Sequence, residues 1–191
     1  MKLRLCNLRN KIVYYVIKIY MEIKMSFFGK LFGNKKSSQP ESTQKVHLSK
    51  NSGVPYNKEL IKTLLKDHNQ LIEMFAKISK LAKKKKYKTL KQTLKTFKIE
   101  MEVHNYSEKI QLYVYLKNYY KNSDNEDFIK EMASSSEEIY KDVAVFLKKY
   151  EDIEFNDQYL ALFNTELEAV GRILQSRIAI EESELYPLYK K

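Results

Sequence analysis

The chain has 191 residues, of which 43% are apolar, which is enough for one domain with a core of normal size and an additional segment. Only four glycines and three prolines occur, which excludes a turn-rich all-β fold and favours long helices with few connections. The net charge of +11 is concentrated in residues 1–36, and the single cysteine, Cys6, excludes a disulfide framework or a cysteine-based zinc site and fits a reducing cytoplasm.

Residues 1–56 predict a basic, flexible N-terminal extension and linker rather than a folded domain. The apolar run at 12–19 contains Lys18 and is shorter than the stretch of about 20 apolar residues that crosses a membrane. It also lacks the uncharged core and the small-residue cleavage site of a secretory signal. Residues 37–56 are rich in Ser, Gln, Asn, Gly and Pro, so they predict a linker in which His47 is solvated.

Two interpretations of the beginning of the chain stay open. Met25 begins the sequence MSFFGKLFGNKK, which is typical of an ordinary protein start, so residues 1–24 lie either upstream of the natural start or within the protein. Residues 26–36 form either a frayed tail or a short amphipathic helix that contacts a membrane surface peripherally. Both interpretations place the folded domain at residues 57–191.

The first predicted helix begins near Asn57, a favourable N-cap that follows Pro55, and ends in the lysine run 83–86. Its apolar stripe consists of Ile61, Leu64, Leu65, Leu71, Ile72, Phe75, Ile78 and Ala82. His68 falls on that stripe, so its imidazole is predicted to face the core. The lysine run lacks interleaved aromatic or arginine residues, which indicates a solvated helix end and no specific nucleic-acid interface.

The second predicted helix covers residues 87–119 and has a polar pair on its inward face. Its apolar stripe consists of Leu90, Leu94, Phe97, Met101, Leu112, Tyr115 and Tyr119. His104 and Glu108 interrupt this stripe and lie four residues apart, so both side chains point in the same direction, toward the core.

The third and fourth predicted helices follow the turn at 121–127. The stripe of the third helix consists of Phe128, Met132, Ile139, Val143, Phe146 and Tyr150, and Ser135 and Ser136 stand where one turn should be apolar or metal-ligating. The fourth helix begins near Asn156, and its stripe consists of Leu160, Phe163, Leu167, Val170, Leu174 and Leu185. Arg177 and Glu181, again four residues apart, interrupt that apolar face.

Four helices with short connections predict an all-α fold, an antiparallel up-down-up-down four-helix bundle over residues 57–191. Three of its inward stripes carry five ionisable side chains: His68, His104, Glu108, Arg177 and Glu181. An unpaired ion in a protein core costs several kcal/mol. These side chains are therefore expected to converge and to neutralise one another or a bound metal ion.

Over these residues the sequence resembles the hemerythrin-like family with the HHE cation-binding domain. The similar segments are KDHNQLIEMF at 66–75, HNYSE at 104–108 and RIAIEESELYPLY at 177–189. The resemblance implies metal ligands at His68, His104, Glu108 and Glu181. It also implies that the complete di-iron site is absent, since Arg177 stands where the family has a histidine and the third helix offers Met132, Ser135 and Ser136 instead of histidines.

The sequence is also similar, more loosely, to the regulator-of-sigma-D/AlgQ proteins, which are helical bundles that bind the major sigma factor of RNA polymerase. This similarity covers an inward histidine followed by an acid on the second helix, together with LEAVGRILQSRIAIEESEL at 167–185. It implies a protein partner, a sigma factor or RNA polymerase, and a core network with a purely structural role.

The direction of Arg177 distinguishes two interpretations of the site. A guanidinium that faces the core pairs with Glu108 and Glu181, takes the place of a cation and repels a divalent metal ion. A guanidinium that snorkels outward leaves two histidines and two carboxylates for one ion of iron or another divalent transition metal. In the first case no cofactor is expected.

Neither a nucleophile–base arrangement nor a phosphate-binding glycine loop occurs in the sequence, so we do not expect an enzyme. The sequence predicts a cytoplasmic, atypical hemerythrin-like protein. Its mononuclear or degenerate non-haem metal site is expected to serve sensing or regulation. The alternative is a metal-free regulator of the regulator-of-sigma-D/AlgQ kind, which binds a sigma factor and modulates transcription.

Overall fold

The structure, a computed structural model, describes residues 53–191. Within this range all regular elements are helical and no strand occurs, which confirms the predicted all-α class. The predictions for the basic extension, the start at Met25, the segment 26–36 and His47 lie outside the described residues. Between residues 53 and 191, no helix combines the length and the apolar character that crossing a membrane requires.

Helix α1 (Leu60–Lys83) begins three residues after the predicted N-cap Asn57. The side chain of Asn57 closes the preceding turn instead, because its Oδ1 accepts a hydrogen bond from the backbone N–H of Glu59 at 3.0 Å. The buried face matches the predicted stripe at Leu64, His68, Leu71, Ile78 and Ala82. Leu65 and Ile72 differ from the prediction, since they lie at the edge of the stripe and are 36% and 44% exposed.

The predicted second helix is continuous from residue 87 to 119, but it is not a regular α-helix throughout. Helix α2 (Tyr87–Ser107) passes into a π-helical segment, Glu108–Tyr113, which we call the first π segment, and then into helix α3 (Val114–Tyr119). A π-helical turn holds one more residue than an α-helical turn, and such turns are frequent at functional sites.

Helices α4 (Glu126–Glu151) and α5 (Asp157–Ile180) complete the bundle. Asn156 caps α5 as predicted, since its side chain accepts a hydrogen bond from a backbone N–H three residues later. The chain continues from α5 into the second π segment, Glu181–Leu185, and then into a 3₁₀ turn, Tyr186–Leu188.

The helices bury one apolar core, in which aromatic rings pack closely. Among its largest fully buried side chains are Phe97, Tyr150 and Phe163. On α4 the buried residue is Ile129 and not the predicted Phe128. We call the four helical segments of the bundle rods: α1, residues 87–119, α4, and residues 157–188. The end of the chain is tied to the end of the second rod, because the hydroxyls of Tyr115 and Tyr120 donate hydrogen bonds to backbone carbonyls in the last four residues.

Candidate metal centre

The structure brings four of the predicted site residues together in the buried interior. His68 lies on α1, His104 on α2, Glu108 opens the first π segment and Glu181 opens the second. Each offers one nitrogen or oxygen atom, and these four atoms all lie within 4.8 Å of one another. All four residues are at most 8% exposed. The convergence expected from the sequence is present, while a role as metal ligands stays a prediction.

The two π segments explain how each rod turns several polar groups inward. The first has the sequence pattern E-x-x-x-L-Y at 108–113, and the second, together with the Tyr186 that follows it, repeats this pattern at 181–186. In both, the Leu four residues after the acid and the Tyr five residues after it are buried together. In a regular α-helix the residues four and five positions after the glutamate point to different faces. A π-helical turn holds one more residue, so the tyrosine at the fifth position is buried together with the leucine at the fourth.

The tyrosine that ends each pattern reaches across to the polar groups of the other rod. The Tyr186 hydroxyl donates a hydrogen bond to Oε1 of Glu108 at 2.8 Å and lies 3.1 Å from Nε2 of His68. The Tyr113 hydroxyl accepts a hydrogen bond from Arg177. Burial and the neighbouring carboxylates raise the pKa of Tyr186 well above its ordinary value, so its hydroxyl keeps its proton. The two rods are therefore cross-linked through phenol groups at the cluster.

The His68 ring is oriented by carboxylates on both sides. Its Nδ1 lies 2.8 Å from Oε1 of Glu182, and its Nε2 lies 3.3 Å from Oε2 of Glu181. Burial lowers the pKa of His68, but the hydrogen bonds and charges of Glu181, Glu182 and Glu108 outweigh it and raise the pKa above its ordinary value. A histidine that donates Nδ1–H to a carboxylate directs Nε2 at the cluster, which is the usual arrangement of a metal-ligating histidine.

His104 is held without strong hydrogen bonds. Its Nε2 is 3.8 Å from Oε2 of Glu108, and its Nδ1 is 3.8 Å from Oδ2 of Asp67, both beyond hydrogen-bonding distance. The Nδ1 atom is buried without a hydrogen-bond partner. Burial, with the nearby charge of His68, lowers the pKa of His104 to about 4, so the ring is neutral and keeps a lone pair for a cation.

The two glutamates differ in charge although they lie in one cluster. Burial and the negative charge of Glu181 raise the pKa of Glu108 to about 8, so Glu108 is protonated at neutral pH. Burial also acts to raise the pKa of Glu181, but Arg177 and His68 outweigh it and lower the pKa below its ordinary value. The cluster therefore keeps one proton on a carboxyl group where a cation could replace it.

Arg177 faces the core, so the outward, snorkelling alternative is wrong. Its side chain is 8% exposed and all its N–H groups have partners: Glu181, the Tyr113 hydroxyl, Oγ of Ser135, and the carbonyl oxygen and sulfur of Met132. Burial lowers the pKa of Arg177, but Glu181, with Tyr113 and Glu108, raises it above its ordinary value, so the guanidinium is charged.

The expected pairing of Arg177 with both carboxylates is present only in part. Arg177 forms a hydrogen bond and an ion pair with Glu181, whereas its hydrogen bonds leave out Glu108. The guanidinium is drawn instead toward α4, where Met132 and Ser135 occupy the positions that the resemblance associates with further histidines. Arg177 thus fills the side of the cluster that borders α4.

The donor set and its dimensions fit one transition-metal ion. Ligand atoms bonded to an ion at about 2.0–2.2 Å lie at most about 4.4 Å apart, so the four atoms within 4.8 Å need to move only slightly. His104 turns its Nε2 toward Glu108, while its unpartnered Nδ1 lies on the side of Asp67, so Nε2 is the nitrogen that the cluster offers to an ion. Two imidazoles and two carboxylates suit iron or zinc, and the absence of a thiolate from the cluster disfavours copper(I).

Sequence reasoning missed several residues that support the cluster. Glu182 lies off the inward stripe of the fourth predicted helix, but it accepts a hydrogen bond from His68 even though its side chain is 40% exposed. Tyr113, Tyr186 and Asp67 were not predicted at the site. The repeated E-x-x-x-L-Y pattern is a signal for the two tyrosines, because it follows His104 in one rod and Arg177 in the other at equal spacing.

A comparison with protein families identifies this domain. The family model described as hemerythrin HHE cation binding domain matches residues 59–189. Neither curated proteins nor solved structures gave a match. The similarity to the regulator-of-sigma-D/AlgQ proteins receives no support from these comparisons.

Proposed function

Because the chain belongs to the family with the hemerythrin HHE cation-binding domain, we propose that its buried cluster binds one non-haem metal ion, in the first place iron. The ligands in this proposal are His68, His104, Glu108 and Glu181. The assignment to iron rests on the donor set, since two imidazoles with carboxylates and open positions are typical of non-haem iron(II) sites.

One observation carries the proposal: four electron-pair donors on three rods converge in the buried interior within 4.8 Å. The ring nitrogens of His68 and His104 that face the cluster point at carboxylate oxygens. Without a cation these contacts need extra protons, which the raised pKa values of Glu108 and His68 reflect. A metal ion replaces those protons and satisfies all four groups at once.

We further propose that Arg177 replaces a second metal ion, so that the site is mononuclear. Its guanidinium supplies a permanent positive charge at Glu181 and is held by Tyr113, Ser135 and Met132. This charge repels any divalent ion at low dielectric, so it weakens the binding of the one proposed ion at Glu181 and excludes a second ion beside it. The two rods have matching patterns in which His104 and Arg177 occupy equivalent positions, which supports the idea that the arginine substitutes for a ligand histidine.

An iron ion held by these four residues would supply Lewis-acid and redox chemistry. The chain orients the ligands: Glu182 fixes the His68 ring, Tyr186 holds one oxygen of Glu108, and Arg177 holds one oxygen of Glu181. Such a buried, rigid arrangement suits reversible binding better than turnover, so we propose a sensing or regulatory role. A cytoplasmic location and an antiparallel up-down-up-down order of the helices are parts of the same proposal.

The protein partner, a sigma factor or RNA polymerase, belongs to the metal-free alternative and stays a prediction. The core position of Arg177 and its bond to Glu181 are the observations that favour a metal-free network. A pull-down with the full chain from a lysate tests it. Repeated failure to recover sigma factor or polymerase contradicts the alternative.

Metal analysis of the full chain tests the proposed function. Protein purified without chelator, loaded anaerobically with iron(II) and desalted is expected to retain about one iron per chain. His68→Ala and His104→Ala each remove a ligand and are expected to lose most of this iron. His47 is the remaining histidine of the chain and is not a proposed ligand, so His47→Ala is the matched control and is expected to retain the iron. Less than about 0.2 iron per wild-type chain contradicts the proposal.

A further inference from the structure

One ring nitrogen of His104 has no hydrogen-bond partner. The Nε2 atom faces Glu108 and the cluster, whereas the Nδ1 atom is buried and unpartnered among the residues that the structure describes. A neutral imidazole carries its one proton on one nitrogen and offers a lone pair on the other. An ion that takes the lone pair of Nε2 therefore leaves the proton on Nδ1. The Nδ1–H group then needs an acceptor, because a buried donor without a partner costs free energy.

Asp67 carries the acceptor that lies nearest to this nitrogen. Its Oδ2 atom is 3.8 Å from Nδ1 of His104, which is roughly 1 Å longer than a hydrogen bond. The Asp67 side chain is 27% exposed, and its environment within residues 53–191 contains charges but no hydrogen-bond donor that holds it. The carboxylate can therefore turn toward His104 without breaking another contact. Solvent does not replace it, because the Nδ1 atom is buried.

Helix α1 places this acid beside a proposed ligand. Asp67 directly precedes His68, and successive residues of an α-helix are turned by about 100°. His68 points into the cluster, so Asp67 points sideways, toward α2, against which α1 packs. One turn of α1 thus supplies a proposed ligand together with the acid that faces the other proposed histidine ligand.

The second histidine of the cluster shows the same arrangement with the contact already formed. Nδ1 of His68 lies 2.8 Å from Glu182, and its Nε2 is directed at Glu181. Glu182 directly follows a proposed ligand, just as Asp67 directly precedes one. The two imidazoles therefore differ in one respect: the acid at Nδ1 is in contact with His68 and is still beyond hydrogen-bonding distance from His104.

A further acid, Glu100, lies near Asp67 but does not contact the histidine. Burial raises the pKa of Asp67, His68 lowers it, and the charge of Glu100 raises it, so Glu100 acts on this carboxylate. The ion-pair contacts of His104 are with Asp67 and Glu108. Loss of the Glu100 charge changes the electric field at Asp67 and leaves the acceptor in place, which makes Glu100→Gln a matched control.

We propose that Asp67 is a positioning residue for His104: when an ion binds Nε2, the carboxylate moves closer by about 1 Å and accepts a hydrogen bond from Nδ1–H. This inference rests on the proposed function, since the ion fixes the proton on Nδ1. The hydrogen bond orients the ring and strengthens Nε2 as an electron-pair donor. The cluster then holds two histidines that are each oriented by an acid, Glu182 for His68 and Asp67 for His104.

The first measurement is the affinity of the full chain for cobalt(II), by competition with a chromophoric chelator at pH 7. Asp67→Ala removes the acceptor and is expected to weaken binding about 10- to 100-fold. Asp67→Asn keeps an acceptor oxygen but loses the charge, so its affinity is expected to lie between those of the wild type and Asp67→Ala. Glu100→Gln is expected to bind within about threefold of the wild type, because solvent screens a charge that does not contact the ring.

Proton NMR of the cobalt(II)-loaded chain detects the hydrogen bond itself. The paramagnetic ion shifts the Nδ1–H signal of a histidine bound through Nε2 far from other proton signals, and this signal disappears in D₂O. The wild type is expected to show two such signals, from His68 and His104. Asp67→Ala opens Nδ1 of His104 to solvent and is expected to lose that signal alone, while Glu182→Ala is expected to lose the His68 signal. A purely structural role of Asp67 would not remove one signal selectively.

Cobalt content measured in the same samples separates the two proposals. One cobalt per chain with Asp67→Ala binding within about twofold of the wild type overturns the role of Asp67 and leaves the metal site intact. Two unchanged N–H signals in Asp67→Ala, or an equal loss of affinity in Glu100→Gln, also overturn it. Less than about 0.2 cobalt per wild-type chain overturns the proposed function and the role of Asp67 together.

Discussion

Glu108→Gln in the metal-free protein tests the electrostatics of the cluster. Burial and Glu181 raise the pKa of Glu108 to about 8 from an ordinary value of 4.5, so the folded state holds its proton more tightly than the unfolded state. The stabilisation from this proton is complete below pH 4.5 and is lost as the pH rises toward about 8. Glutamine keeps the shape and the hydrogen bond from Tyr186 but removes the titration.

The size of the stability loss is best estimated at a pH where no other group of the cluster has an effect of opposite sign to that of Glu108. The pKa of His104 is lowered to about 4 from 6.5, so its contribution to the free energy of unfolding is lost as the pH falls below 6.5. Below pH 6.5 the pH dependence from His104 is therefore opposite in sign to that from Glu108. Above pH 6.5 Glu108 remains, and His68, with a raised pKa, acts in the same direction. One proton corresponds to about 1.4 kcal/mol per pH unit, so Glu108 alone is expected to lower stability by about 2 kcal/mol between pH 6.5 and 8, and His68 adds to this fall.

Urea unfolding in EDTA, followed by circular dichroism at several pH values from 6.5 to 8, measures this fall. Glu108→Gln is expected to remove at least half of it, and His68 accounts for the remainder. Glu73→Gln, an exposed glutamate on α1, is the matched control and should follow the wild-type curve. Parallel curves for wild type and Glu108→Gln would refute the assignment of the proton to Glu108.

Three further substitutions test separate contacts. Arg177→Gln removes the fixed positive charge and is expected to raise affinity for a divalent ion at least tenfold at pH 7, measured by competition with a chromophoric chelator; unchanged affinity contradicts its role as a cation. Glu182→Ala removes the acceptor of His68 Nδ1 and is expected to weaken metal binding about 10- to 100-fold in the same assay, whereas a change below twofold contradicts the orienting role. Gly171→Ala places a Cβ 2.8 Å from the ring of Phe75, an overpacking cost of about 1–3 kcal/mol that the gain of about 1 kcal/mol from alanine inside a helix partly offsets, so a net loss of up to about 2 kcal/mol is expected in urea unfolding. The additional change Phe75→Leu should restore part of that loss, and a stabilised Gly171→Ala protein contradicts the close contact.

The inward direction of the ionisable residues could be predicted because helical periodicity fixes which face a residue occupies. His68, His104, Glu108 and Glu181 all lie on apolar stripes, and the structure buries all four. Their convergence could not be read from periodicity, since it depends on how far each rod is shifted along the others. Convergence could be expected only because an uncompensated charge in a protein core is costly.

The direction and partners of Arg177 could not be predicted, because a long side chain reaches either solvent or the core from the same backbone position. Its partners Tyr113 and Ser135 come from other rods. The π segments were also missed, since propensity and periodicity assume a regular α-helix. Only their equal sequence pattern, which ends in Tyr113 and Tyr186, indicates them before the structure is known.

The most direct test of a single, four-ligand metal site is X-ray absorption at the iron edge of the loaded full chain. We expect scattering from two imidazole rings with oxygen atoms at about 2.0–2.2 Å, and no metal neighbour in the range of about 3.5–4 Å that two-metal sites show. An iron–iron distance in that range, or a first shell without imidazole, contradicts the assignment of one ion to His68, His104, Glu108 and Glu181.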